Sequence, residues 1–234
     1  MLETIEVQTG NNPSAAVIWM HGLGADGNDF VPIVNELELS GAPAIRFVFP
    51  HAPKIPVTIN NGYVMRAWYD VSFGDLEGHT KRADENGVRR SQAQIGELIL
   101  REHERGIAFS HIVLAGFSQG GAISLQTGLR YPEKLAGVMA LSCYLPCADS
   151  FAAEAAPANA RYRACRVSTC PRRLAASPLL SITSSAPWSN VTATFLAPEE
   201  LPLLRRLAYA LPRQTLARTT IALTDRGAFV RCNM

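Results

Sequence analysis

Gly116-Phe117-Ser118-Gln119-Gly120 reads G-x-S-x-G. An apolar run, Ile112-Val113-Leu114-Ala115, leads into it, and a helical pattern through Ala122-Ile123-Ser124-Leu125-Gln126 follows. Strand, sharp turn and helix form the context in which a serine hydroxyl is raised above a sheet as a nucleophile. Small residues two before and two after Ser118 keep side chains out of the crowded turn. The helix N-terminus behind the serine presents N–H groups that favour developing negative charge. A serine so placed suits acyl transfer: its oxygen attacks a carbonyl carbon and carries the acyl group as an ester. Outside that context the same five residues would be a glycine-rich turn that happens to hold a serine.

Acyl transfer also needs two donors aimed at the carbonyl oxygen as it becomes an oxyanion. One is expected from the residue after the nucleophile, the N–H of Gln119. The second is expected from His21-Gly22-Leu23-Gly24, the loop after the apolar run Ala15–Met20, through the N–H of Leu23. His21 is expected to anchor that loop by side-chain hydrogen bonds rather than to act as a base. Trp68 and Tyr69, with Asp70 beside them, are candidates to line an acyl pocket, although such aromatics equally suit a core. Cys143 and Cys147, with Cys165 and Cys170 further on, lack the paired short spacings and nearby histidines of a zinc site. They read as buried thiols, and no metal is expected. No phosphate-binding loop or dinucleotide fingerprint is present.

These residues must be held by a scaffold, and the sequence outlines one. Ala15–Met20, Ile45–Phe49, His111–Ala115 and Leu135–Leu141 read as buried strands. A helix capped by Asp26 or Asn28, with Phe30, Ile33, Val34 and Leu37 on one face, is expected after the first of them. A second, from about Arg82 to Arg105, carries Val88, Ile95, Leu98 and Ile99. Alternating strands and helices predict an α/β fold with a mostly parallel sheet. The chain of 234 residues is 47% hydrophobic and 18% charged, enough for a sizeable core. No run of 18 apolar residues occurs, so no membrane-spanning helix is expected. The opening MLETIEVQTG lacks a basic apolar leader, and five cysteines make no disulfide framework, so a cytoplasmic setting is expected.

The formal net charge of +2 hides a break near Asn159. Residues 1–159 hold 11 basic and 17 acidic residues, a balance of −6. Residues 160–234 hold 11 basic residues, all arginine, against 3 acidic ones. All five histidines and 16 of the 17 glycines lie upstream. The arginines are scattered among Leu, Ala, Pro, Ser and Thr rather than gathered on a face. A basic nucleic-acid tail would gather them, so no nucleic-acid partner is expected.

Residues 17–30 (VIWMHGLGADGNDF), 47–70 (FVFPHAPKIPVTINNGYVMRAWYD), 113–125 (VLAGFSQGGAISL) and 135–146 (LAGVMALSCYLP) resemble the phospholipase/carboxylesterase group of α/β-hydrolases. That group includes acyl-protein thioesterases and small bacterial carboxylesterases. The resemblance covers roughly residues 1–159. It implies an α/β-hydrolase fold, with a mostly parallel sheet flanked by helices, and Ser118 as nucleophile. It implies an oxyanion hole from Leu23 and Gln119, and no cofactor. The implied substrates are carboxylic esters or thioesters, on small molecules or on acylated proteins. The oligomeric state stays open, a homodimer included.

The segment 160–234 departs from that pattern. In this fold the triad runs serine, acid, histidine along the chain, yet no histidine follows Ser118. Where the group's aspartate would fall stands Cys170-Pro171-Arg172-Arg173-Leu174, and where its histidine would fall stands Leu203-Leu204-Arg205-Arg206-Leu207. The expected last strand is missing from the pattern too. Asp149, Glu154 and Asp225 are the remaining acids to consider. A tail rich in Arg, Ala, Leu, Pro, Ser and Thr is what a GC-rich gene yields when read out of frame. Dropping one base after Asn159 lets the codons of Ala160-Arg161-Tyr162 decode as Arg-Asp-Ile. The domain reading is therefore a hydrolase core over 1–159 and a frameshifted or diverged segment over 160–234. Two functions compete: a serine esterase or thioesterase, and a catalytically impaired remnant that still binds acyl ligands.

Overall fold

The computed structural model describes residues 1–37, 39–72 and 84–159 in full. It also describes the backbone of strands 163–166, 194–197, 219–224 and 227–232. Five strands form the central sheet of the core: β1 (Thr4–Gln8), β2 (Ala15–Met20), β3 (Ile45–Pro50), β6 (Ile112–Phe117) and β7 (Gly137–Leu141), in the order β1-β3-β2-β6-β7. β3, β2, β6 and β7 run parallel, and β1 closes the edge antiparallel to β3. β2, β3, β6 and β7 are buried on both faces, which is why they read as continuous apolar runs rather than alternating ones.

Alternation along each strand sorts the core into two layers. Ala16, Ile18 and Met20 face Val88, Ile95, Leu98 and Ile99 of helix α1 (Glu85–Glu104) and Ala122 and Ile123 of helix α2 (Gln119–Gly128). Val17 and Trp19 face the other way, with Phe47, Phe49, Ile33, Val34 and Leu37. Asp84 caps α1, its Oδ1 accepting from the N–H of Gly87 at 2.8 Å. Residues 82 and 83, where the sequence reading starts this helix, lie outside the described residues.

The helix expected after β2 is only a 3-10 segment, Val31–Asn35, preceded by Phe30 with no side-chain cap. Asp26 instead closes a turn of its own, accepting from the N–H of Asn28 at 2.8 Å. Pro32, within the first turn, has no N–H to contribute. The apolar face is still used: Ile33, Val34 and Leu37 are buried, and Phe30 stacks on Trp19. Between β3 and α1 lies a hairpin, β4 (Lys54–Val57) with β5 (Tyr63–Arg66).

A short helix, α3 (Ala148–Glu154), follows β7. Beyond it two further strands join the sheet, each antiparallel to its neighbour and so unlike the parallel strand that the resemblance implies. β8 (Arg163–Arg166) and β9 (Thr194–Ala197) extend the sheet past β7, in the order β7-β9-β8. β9 pairs antiparallel with β7, and β8 antiparallel with β9. An unpaired strand edge accepts any extended segment through main-chain bonds, and antiparallel pairing needs no crossover helix. β10 (Thr219–Thr224) and β11 (Gly227–Cys232) form a separate two-stranded sheet. Cys170–Leu174, Asp225 and the Leu201–Leu207 segment lie outside the described residues.

Candidate functional site

β2 and β6 are neighbours, and their parallel register sets Met20 opposite Gly116. The loops leaving their C-terminal ends therefore emerge side by side, where open α/β sheets place their ligands. One loop is His21–Gly24 and the other is the turn at Ser118. An added Cβ on Gly22 would stand 3.3 Å from the Phe117 ring and 3.6 Å from the Ser118 Cβ. The two elements singled out in the sequence are in contact.

Ser118 sits at φ 53°, ψ −118° between β6 and α2. A non-glycine residue there carries strain of order 1–3 kcal/mol, which the surroundings must hold. They do so by close approach. A Cβ on Gly116 would fall 2.3 Å from the Gly120 carbonyl oxygen. A Cβ on Gly120 would fall 2.4 Å from the Met20 oxygen and 2.5 Å from the His21 oxygen. The glycines of the motif thus let the turn close and let α2 press on β2. The N–H of Ser118 donates to Leu141 O at 2.7 Å, pinning the turn to β7. The residue is part-exposed, and its hydroxyl has no hydrogen-bond partner among the described residues.

Gln119 is the first residue of α2, where helical N–H groups have no intrahelical acceptor. The first backbone bond across the turn is Ala122 N–H to Ser118 O. The N–H of Leu23 likewise has no acceptor among the described residues, whereas its neighbours are tied down. Gly24 N–H donates to Arg66 O at 2.9 Å and Ala25 N–H to Gly22 O at 3.3 Å. Gly24 makes that turn at φ +77°.

Side chains lock these two backbones together. The Gln119 carboxamide is buried; its Oε1 accepts from Trp68 N–H at 2.8 Å and its Nε2 donates to Tyr69 O at 2.6 Å. The Trp68 indole donates to His21 O at 2.9 Å. The hydroxyl of Ser91, on α1, donates to Trp68 O. Tyr69 and Tyr144 pair through their hydroxyls at 2.8 Å. Trp68 and Tyr69, read as pocket candidates, are 0% and 1% exposed. Their polar atoms hold the backbone of the site from behind. The only trace of this clamp in the sequence is an amide side chain next to Ser118 together with the aromatic pair at 68 and 69.

His21 anchors its loop, as expected. Nδ1–H donates to Gly22 O at 2.7 Å and Nε2 accepts from Ala52 N–H at 3.0 Å. Burial holds its pKa below the ordinary imidazole value. His51 Nδ1 accepts from Gly27 N–H at 3.1 Å. A neutral imidazole has one acceptor nitrogen, and both rings use it on the loop. His111 precedes β6 at the far end of the strand, about 20 Å from Ser118 at 3.3 Å per residue. His103 stacks on Phe109 at that same end. No described histidine hydrogen-bonds the Ser118 hydroxyl, and His79 lies outside the described residues.

Of the acids considered, Glu154 is committed elsewhere. Arg89 and Arg130 each donate to it at 2.7 Å and hold its pKa down to about 2. Asp149 is exposed in the first turn of α3. Asp70 accepts from Thr58 N–H at 2.7 Å and closes the loop between β4 and β5. Burial pushes the Cys147 thiol up, away from reactivity. No group of three metal-ligating side chains occurs among the described residues.

Residues 2–167 match the family model described as Phospholipase/Carboxylesterase. Acyl-protein thioesterase 1 of Schizosaccharomyces pombe is 48% identical over 145 residues, 60% of this chain and 62% of that protein. Acyl-protein thioesterase 1 of Cryptococcus neoformans is 39% identical over 145 residues, 62% of this chain and 60% of that protein. The chain thus spans about three fifths of the length of these relatives. Among solved structures, Arabidopsis thaliana SOBER1 superposes with a TM-score of 0.57 at 33% identity, over 61% of this chain and 68% of that one. Zea mays acyl-protein thioesterase 2 gives 0.54 at 28% identity, over 64% and 66%.

Proposed function

The chain belongs to the phospholipase/carboxylesterase family, and from that premise we propose that it carries the acyl-transfer half of a serine hydrolase site for carboxylic esters or thioesters. Ser118 is the nucleophile, and the N–H groups of Leu23 and Gln119 bind the oxyanion. The observation that supports this reading most is the strained Ser118 turn set against the Gly22–Leu23 loop. In the first step the Ser118 oxygen bonds to the carbonyl carbon and its proton passes to a base. The leaving alcohol or thiol then departs protonated, and water releases the acid from the acyl-serine. The curated relatives are named acyl-protein thioesterases, so a thioester on an acylated protein is the substrate class that best fits. The odd cysteine count agrees with a cytoplasmic setting for that work.

No histidine follows Ser118, and the described histidines upstream are engaged or remote. Among the described residues no base reaches Ser118, and residues from about 160 onward are read here as a shifted or diverged segment. In a chain restored to frame after Asn159, Ser118→Ala should lower kcat by roughly 10⁴-fold or more. Retention of most activity in that variant would reject the nucleophile. In a phosphonate complex of the restored chain, both amides should lie about 2.7–3.1 Å from the phosphoryl oxygen; an amide turned away removes that donor.

A further inference from the structure

A closed circuit of hydrogen bonds surrounds Leu23, and one charged side chain completes it. The His21 ring makes the first links, to Gly22 O on one side and to the N–H of Ala52 on the other. The carbonyl of the same Ala52 accepts from Arg66 Nη1 at 2.8 Å. The carbonyl of Arg66 in turn accepts from the N–H of Gly24 at 2.9 Å. Gly22 O and the Leu23 N–H belong to one planar peptide and lie on its opposite edges, so a bond to that oxygen fixes the direction of that N–H. The next peptide is fixed through its own N–H, that of Gly24. Both peptides of Leu23 are therefore tied to Arg66, one through its side chain and one through its main chain.

The hairpin itself disfavours a cation at this position. Arg66 stands directly opposite Lys54 across β4 and β5, and like charges so placed repel. The ion pair with Glu3 is long, at 3.9 Å, and the Glu3 side chain is 84% exposed, so solvent screens it. What the guanidinium gains is Ala52 O. Ala52 is fully buried, where a carbonyl without a donor is costly, and a charged donor makes the stronger bond. A two-stranded hairpin is marginal alone, and β5 is held against the loops it serves. The N–H of Ala67, just past β5, donates to Pro53 O at 3.0 Å. A Cβ on Gly24 would stand 3.7 Å from Met65 Sδ.

We propose that Arg66 is a positioning residue for the oxyanion donor of Leu23, a role that rests on the reading of Leu23 as that donor. Arg66 holds Ala52, Ala52 holds the His21 ring, and the ring holds Gly22 O, which sets the Leu23 N–H. Arg66 acts through these groups and not on the substrate. Its effect belongs to the reaction step rather than to substrate binding, because an oxyanion donor works on charge that develops in the transition state. A misplacement of about 1 Å at such a donor is enough to lose on the order of 100-fold in rate.

The test uses the full chain and has two arms. Arg66→Met keeps the apolar stem and removes the donor. In the first arm, amide hydrogen exchange is followed by NMR. The Gly24 and Ala52 amides should exchange at least about tenfold faster in Arg66→Met, and those of β6 at the wild-type rate. In the second arm, hydrolysis of an activated aryl ester is measured. The kcat of Arg66→Met should fall about tenfold or more with KM unchanged. Arg66→Lys restores one charged donor and should recover most of both losses. Unchanged exchange at Gly24 and Ala52, equal acceleration in β6, an unchanged kcat, or a lysine variant no better than the methionine one would each overturn the proposal. Ser118→Ala, run beside them, separates the two readings. If it abolishes turnover while Arg66→Met turns over as the wild type does, Arg66 alone is refuted. If it retains full turnover, or if the wild type is no faster than buffer, the nucleophile is refuted and the role of Arg66 falls with it.

Discussion

The indole N–H of Trp68 donates to the carbonyl of His21 at 2.9 Å, while the backbone N–H of the same tryptophan donates to the Gln119 side chain at 2.8 Å. One residue thus joins the loop that carries Leu23 to the helix that begins at Gln119. The two loops leave strands that are neighbours, but the strands alone do not fix the loops. Trp68 does so by bonds made in a buried, water-poor setting where an orphaned partner is costly.

Trp68→Phe keeps most of the ring and removes one donor, leaving His21 O unsatisfied. It should destabilise the chain by about 1–3 kcal/mol, read from urea unfolding with an unchanged slope. A loss below about 0.5 kcal/mol would show that the bond does not hold the loop.

Acid should weaken the His21 anchor. Its folded-state pKa lies below the ordinary value because burial disfavours the charged ring. The unfolded chain, with an imidazole near 6.5, therefore takes up a proton that the folded chain resists. Stability from this group is present above about pH 6.5 and is lost as pH falls below it. Urea midpoints measured from pH 7.5 to 5.5 should fall in the wild type and fall less in His21→Ala. Parallel slopes would contradict the assignment.

Glu154 moves in a lower window. Its folded pKa of about 2 lies under the unfolded value near 4.3. Its contribution is present above about 4.3 and is lost as pH falls from there toward 2. A Glu154→Gln chain should therefore lose less stability than the wild type between pH 5 and 2, by thermal melts. Equal losses would mean that the arginine pair does not depress this carboxyl.

Two glycines should respond in opposite ways to alanine. At Gly120 the new Cβ would lie 2.4 Å from Met20 O, forcing α2 off β2 at a cost of at least about 2 kcal/mol. At Gly96 the Cβ has open space, and alanine should stabilise α1 by up to about 1 kcal/mol. Unfolding free energies of the two variants check both signs.

The parallel core was legible because β2, β3, β6 and β7 are buried on both faces and leave unbroken apolar runs. The turn at Ser118 was legible because its strained backbone closes only with glycine at 116 and 120. The 3-10 segment at Val31–Asn35 was misread as a capped helix: periodicity showed its buried face, but Asp26 had already used its side chain on Asn28. β1 was missed because it is a short, half-exposed edge strand. The roles of Trp68 and Tyr69 were hidden because an aromatic that lines a pocket and one that clamps a loop look alike in sequence. Only their hydrogen bonds separate them.

The proposed site joins a nucleophile and two oxyanion donors with no base among the described residues. It is tested most directly by measuring turnover of an activated aryl ester and an acyl thioester by the unmodified 234-residue chain, beside its Ser118→Ala variant. Rates no more than about 10³–10⁴-fold over water are expected, the level left when a triad is broken and the oxyanion hole remains. Turnover near the roughly million-fold level of an intact triad, abolished by Ser118→Ala, would contradict it.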